Sequence, residues 1–123
     1  MKGDRYGKMM LEELLAKYIE IGIGQYDAIE AFDNRTFSRL YLHKRAIAAE
    51  LKSRLGDQRP ILRPLLDHAN LQVRINAANE LLALAPEAAL ATLEAVRATR
   101  IQPFAGDAGM ALRALKWGYS EPS

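Results

Sequence analysis

The sequence contains no cysteine. That absence excludes disulfides, thiolate nucleophiles and any zinc or iron–sulfur site held by thiolates. Histidine is scarce: His43 and His68 are the only two. No His-x-x-x-His or Glu-x-x-His spacing supplies further ligands, so neither a metal nor another cofactor is expected. No apolar run approaches the roughly 20 residues that a bilayer-spanning helix needs. The opening residues Met1-Lys2-Gly3-Asp4-Arg5-Tyr6-Gly7 are polar and lack the apolar core of a signal peptide. These features together predict a cytoplasmic chain with no membrane partner.

What is present is a chain of 123 residues, half of them hydrophobic. That fits a single domain over 1–123 with enough apolar material for a core, and with residues 1–7 and 119–123 as flexible tails. Apolar residues recur at helical spacing almost everywhere, and no stretch alternates with period two, so the expected class is all-α. A first helix is predicted from Lys8 to Ile23, weakened at its end by Gly22 and Gly24, then a shorter piece from Gln25 to Phe32. Asp33 and Asn34 offer N-caps for a long helix to Leu55, closed by Gly56-Asp57. Pro60 and Pro64 bracket a short helix reaching Leu66, with Pro64 placed to kink it. Asn70 caps a helix from Leu71 to Ala85, Pro86 opens one to Arg100, and Pro103 opens a last one ending near Trp117-Gly118.

Charge is distributed in blocks. Residues 11–34 carry a net of −5, residues 35–63 a net of +6, and residues 64–96 a net of −3. Two readings fit: attraction between neighbouring helical layers, or a basic docking surface.

Two of the predicted helices overlay with a shift of 29 residues. Leu42, Arg45, Ala48, Ala49 and Leu55 fall on Leu71, Arg74, Ala77, Ala78 and Leu84. Self-similarity at this period is the mark of a helical solenoid, in which each hairpin buries its apolar face against the next. The stretch Leu65-Leu66-Asp67-His68-Ala69-Asn70-Leu71-Gln72-Val73-Arg74-Ile75-Asn76-Ala77-Ala78-Asn79-Glu80-Leu81-Leu82 resembles a HEAT repeat: an Asp in the turn, Val-Arg entering the second helix, then paired alanines and leucines. The resemblance covers residues 59–97 best and 34–56 less closely. The ending Ala105-Gly106-Asp107-Ala108-Gly109-Met110-Ala111-Leu112-Arg113-Ala114-Leu115 resembles the close of a small bacterial HEAT-like family of unknown function. The resemblance implies a short right-handed α-α superhelix (solenoid) of about three HEAT-like helical hairpins, and no activity.

On a helical wheel Arg74 falls inside the apolar arc of its helix, as does Arg45 on the earlier one. A guanidinium drawn from water needs acceptors. The resemblance implies a ladder between layers in which Asp33, Asp67 and Asp107 supply them to Arg45 and Arg74. The opposite, polar stripe consists of Gln72, Asn76, Asn79 and Ala83, with His43, Ile47, Glu50 and Arg54 as its counterpart on the earlier helix and Arg39 one turn before them. Solenoids use the exposed face of their second helices for binding, so the seven polar residues of these stripes are the expected partner surface.

Other chemistry is thinly represented. Gly106 and Gly109 flank Asp107-Ala108 at a helix start, where backbone amides can hold phosphate. No P-loop Lys-Ser/Thr follows, and the neighbouring alanines suit close packing better. Ser38 and Ser53 lack a base-and-acid set, and Glu12 and Glu13 are adjacent on an acidic helix. Trp117 and Tyr119 are expected to cover the terminal hairpin or to belong to a subunit contact, a homodimer included. The reading that follows is a non-enzymatic protein-binding module, an adaptor, inhibitor or immunity-type partner. Nucleic-acid binding through residues 35–63 is the alternative. An enzyme of the bilin-lyase type, which some HEAT-repeat chains resemble, fits least.

Overall fold

Leu14, Tyr18, Ile21, Gln25 and Ala28 repeat at intervals of three and four residues. In the computed structural model, which describes residues 4–123, they form the buried face of one uninterrupted helix. The chain divides into two compact units, Met1–Leu62 and Arg63–Ser123. The described residues hold helices and no strand.

The first unit contains a single turn, α1 (Asp4–Gly7), and two long helices, α2 (Leu11–Glu30) and α3 (Asn34–Ser53), packed as a hairpin. The break predicted after Ile23 does not occur, because α2 runs through both glycines. Packing explains this better than propensity does. A Cβ at Gly24 would stand 2.9 Å from Leu40 Cδ1 of α3. The missing side chain lets the helices approach, and that contact outweighs the weak helix preference of glycine.

The α2–α3 turn satisfies both helix ends with one set of residues. Asp33 N donates to Ala28 O (2.8 Å) and Phe32 N to Ile29 O (3.1 Å). These two bonds close α2 in a Schellman motif, which puts its C′ residue in the left-handed region. Here that residue is Phe32, with φ 55° and a side chain 92% exposed. Asp33 then caps α3, as expected, by accepting from Thr36 N at 3.0 Å. The two Thr36 bonds, from side chain and backbone, hold its carboxyl below the usual range.

Beyond α3 the chain turns at Gly56 and Asp57, both with positive φ. The following proline-bracketed segment, Arg59–Asp67, is a 3₁₀ helix with Pro64 inside it, and not the kinked α-helix expected. Pro60 and Pro64 remove two backbone donors, and an interior Pro64 would both break an i→i−4 bond of an α-helix and clash with its preceding turn. Arg59 is only 4% exposed. Its Nε and Nη2 donate to Asp57 at 3.0 and 2.8 Å, and the paired guanidinium lowers the Asp57 pKa. Nothing in the apolar periodicity announced this buried arginine.

The second unit contains α4 (Leu71–Leu81), α5 (Pro86–Ala98) and α6 (Phe104–Lys116). Asn70 caps α4, accepting from Gln72 N and Val73 N, and Pro86 opens α5 as expected. α4 stops at Leu81 and does not reach Ala85. The residue before Pro86 is pushed out of the helical region, and Ala85 sits at φ −142°, ψ 64°. α5 ends two residues early, at Ala98. Ala89, Leu93 and Val96 of α5 and Phe104, Ala105 and Ala108 of α6 are buried where these helices pack.

The expected tail over residues 1–7 is corrected in part. Residues 1–3 lie outside the described residues, but Asp4–Gly7 is helical and Tyr6 is 2% exposed. At the other end, residues 119–123 are exposed and without regular structure.

Phe32→Gly should stabilise the protein by about 0.5–1 kcal/mol in urea melts, since relief of left-handed strain exceeds the entropy cost of glycine. Arg59→Met should cost about 2 kcal/mol, less than a fully buried pair, because Asp57 is partly open to water and rehydrates. A depressed carboxyl stabilises the fold above its ordinary pKa of 3.8 and loses that contribution as pH falls below it. The difference between wild type and Arg59→Met should therefore shrink in melts taken below that pH.

Candidate functional site

Three pieces of chain build a cleft on the first unit. Arg54, one residue past the end of α3, is ion-paired to Glu50 one turn earlier, Nε to Oε2 at 2.7 Å. That pairing aims its Nη2 at the carbonyls of Met9 (2.6 Å) and Tyr6 (3.2 Å). Residues 4–10 are thereby strapped along α3. Tyr6 fills the interior of the strap, and its hydroxyl meets His43 Nδ1 at 2.6 Å, with the rings edge to face.

Beside this contact lies a hollow of about 320 Å3 lined by Arg5, Tyr6, Arg39, Leu42, His43 and Ala46. A smaller one of about 190 Å3 adjoins it, sharing Arg5, Tyr6, Arg39 and His43 and adding Lys17 and Glu20 of α2. Lys17 and Glu20 face each other at 3.6 Å, which leaves Arg5 and Arg39 as the surplus charge among the described lining residues. Arg5 also lies over the Tyr6 ring, 5.5 Å from its centroid. Arg39 and Leu42 are exposed. The cleft is cationic at its rim and apolar on its floor.

The expected partner surface is divided in the folded chain. Arg39, His43 and Glu50 share one face of α3, with Arg54 just past its end, but His43, Glu50 and Arg54 hold the chain's own strap. Arg39 is exposed at the cleft edge, and its charge contributes, after the Thr36 bonds, to lowering the Asp33 pKa. Gln72 and Asn76 are corrected outright: both are buried, at 6% and 2% exposure. Gln72 Nε2 donates to Asn76 Oδ1 at 2.9 Å. A polar stripe marks an outer face only on a surface helix, and α4 is buried around most of its circumference. Asn79 is exposed, apart from that pair.

The arginine ladder also departs from expectation. Arg45 is exposed and has no ion pair among the described residues. Arg74 is half-buried and donates from Nε to the His68 carbonyl at 2.8 Å, not to an aspartate. Asp67 shares an open hollow with Arg74 but forms no ion pair with it. Asp33 is a helix cap. Asp107 lies in the first turn of α6, where partial desolvation raises its pKa. The shift of 29 residues fails at its most apolar match, for Leu42 is 59% exposed and Leu71 only 8%.

The helix start at Gly106 is already served. Its amide donates to Gln102 Oε1 at 2.9 Å, the atom a Cβ would strike. Gly109 is buried beneath the Arg97 side chain, as the packing reading requires. His68 accepts from Asn70 N in its turn. Trp117 and Tyr119 contact each other edge to face and are 63% and 80% exposed, so most of each side chain faces away from the described residues. Among the described residues no three His, Asp or Glu side chains gather as metal ligands, and no helix is long and apolar enough to cross a membrane.

Sequence reasoning missed Arg5 and Tyr6. A single aromatic residue in an otherwise polar stretch between Gly3 and Gly7 was the one available signal, and no periodicity accompanied it.

Comparison with known proteins places the chain without assigning it a role. Among curated proteins nothing matches it. The crystal structure of the protein RPA1889 from Rhodopseudomonas palustris CGA009 is similar, with 39% sequence identity and a TM-score of 0.93, covering 96% of this chain and 98% of that one. A family model described as "Domain of unknown function (DUF2019)" matches residues 12–116. The chain belongs to that family.

Proposed function

We propose that this protein is a non-catalytic docking module of the cytoplasm that captures an acidic, apolar-tipped segment of another protein in the cleft of its first unit. The observation that supports this most is the pair of adjoining hollows sharing Arg5, Tyr6, Arg39 and His43. Arginine forks recognise carboxylates, and an apolar floor receives the neighbouring side chain. In the same proposal, α2–α3, the 3₁₀ segment with α4, and α5–α6 are three HEAT-like hairpins of a short right-handed superhelix. The short turns between α2 and α3 and between α5 and α6 are consistent with that arrangement.

The nucleic-acid reading is weakened by how the basic block is used. Of its eight lysines and arginines, Arg54 and Arg59 are engaged in intrachain bonds, and Lys44 lies over the Tyr41 ring.

A photo-crosslinking phenylalanine analogue at Leu42, inside the cleft, should trap a discrete protein adduct in the native cells. Arg39→Glu should remove that adduct, and the same analogue at Leu55, which is 95% exposed elsewhere on the unit, should not form it. An adduct indifferent to Arg39→Glu, or one made of nucleic acid, would contradict the proposal.

A further inference from the structure

The cleft has two cationic arms from different parts of the chain, and one hydrogen bond sets their spacing. Arg5 immediately precedes Tyr6 on the strap, and Arg39 lies one helical turn before His43 on α3. Tyr6 and His43 are joined at 2.6 Å. Tyr6 is fixed in the interior at 2% exposure, and Arg54 holds its carbonyl and that of Met9 three residues on. Two guanidiniums are therefore presented to one hollow by a rigid frame. Each is exposed, and neither forms an ion pair with an acidic side chain among the described residues.

We propose that Arg5 and Arg39 form a two-armed receptor for a carboxylate borne on an apolar group, assembled only when the strap is docked on α3. The proposal rests on the docking reading of this cleft and names the chemistry it recognises. A carboxylate suits the site better than phosphate does. Leu42, Ala46 and the Tyr6 ring make much of the wall apolar, which suits the hydrocarbon group that bears a carboxylate. The strap makes the site conditional. With residues 4–10 released, Arg39 remains on α3 and Arg5 departs, leaving one arm on an open helix face. Occupancy and strap docking must then stabilise each other equally.

The test follows arginine Nε–Hε resonances by NMR while the whole protein is titrated with three probes: sodium phenylacetate, a capped Leu-Glu-Leu peptide and inorganic phosphate. Phenylacetate or the peptide should shift the Arg5 and Arg39 signals and leave Arg45 unmoved. The peptide should bind the tighter of the two, since the docking reading makes the carboxylate a protein side chain; tighter binding of phenylacetate would contradict that source. Arg5→Gln and Arg39→Gln should each weaken binding about tenfold, the loss of one charged hydrogen bond, while Arg45→Gln changes nothing. Arg54→Gln should weaken it as Arg5→Gln does, although the residue touches no ligand. Phosphate binding more tightly than both carboxylates, equal shifts at Arg45, or unaltered affinity in Arg5→Gln would overturn the proposal. A Leu42 adduct in cells with no probe shift would leave the docking reading standing and remove the carboxylate. Probe shifts without an adduct would do the reverse.

Discussion

The hold of Arg54 on the carbonyls of Tyr6 and Met9 decides what the first unit presents to solvent. Backbone carbonyls at the start of a chain are normally hydrated, and a short segment has little apolar surface with which to bind itself down. Here one guanidinium, oriented by Glu50, donates to Met9 O and adds a second donor at Tyr6 O, which also accepts from Met9 N. Ordering those residues costs conformational entropy, which charge-assisted bonds and burial of the Tyr6 ring offset. The cleft exists because the strap is in place: half of its lining arginines and its aromatic wall come from there.

The same interaction changes the meaning of the charge blocks. A run of eight cations over residues 35–63 reads in sequence as a single basic face. In the structure it is several unlike things. Arg54 and Arg59 are consumed internally, one clamping a strap and one buried against Asp57. Arg39 is presented at a hollow, and Arg45 is simply solvated. Net charge counts all of them alike, whereas desolvation and hydrogen-bond geometry separate them.

Helix existence was legible wherever apolar spacing and capping agreed. Asp33, Asn70 and Pro86 mark helix starts in sequence and in structure alike. Errors arose where tertiary contact overrides local preference, as at Gly24 against Leu40, or where backbone rules act from beyond the helix, as Pro86 does on α4. The site was half legible. The spacing of Arg39, His43 and Glu50 puts them on one face of α3, since helical phase is local information, but it does not show that Ile47 of the same stripe is buried. That the chain's own first residues cover most of that face was not legible, because a contact between Tyr6 and His43 spans 37 positions and leaves no periodic trace. Gln72 and Asn76 failed for the converse reason: amides on α4 pair with each other inside the fold, so polarity did not mean exposure.

Amide hydrogen exchange in wild type and Arg54→Gln tests the clamp most directly. The Met9 amide, which donates to Tyr6 O at 3.1 Å, reports the strap, and the amides of Ile21 and Ile47, buried inside α2 and α3, report the body of the unit. If Arg54 holds the strap, the substitution brings Met9 to the exchange rate of an unstructured chain while Ile21 and Ile47 stay protected. Undiminished protection at Met9 would mean that the strap is held by something other than Arg54.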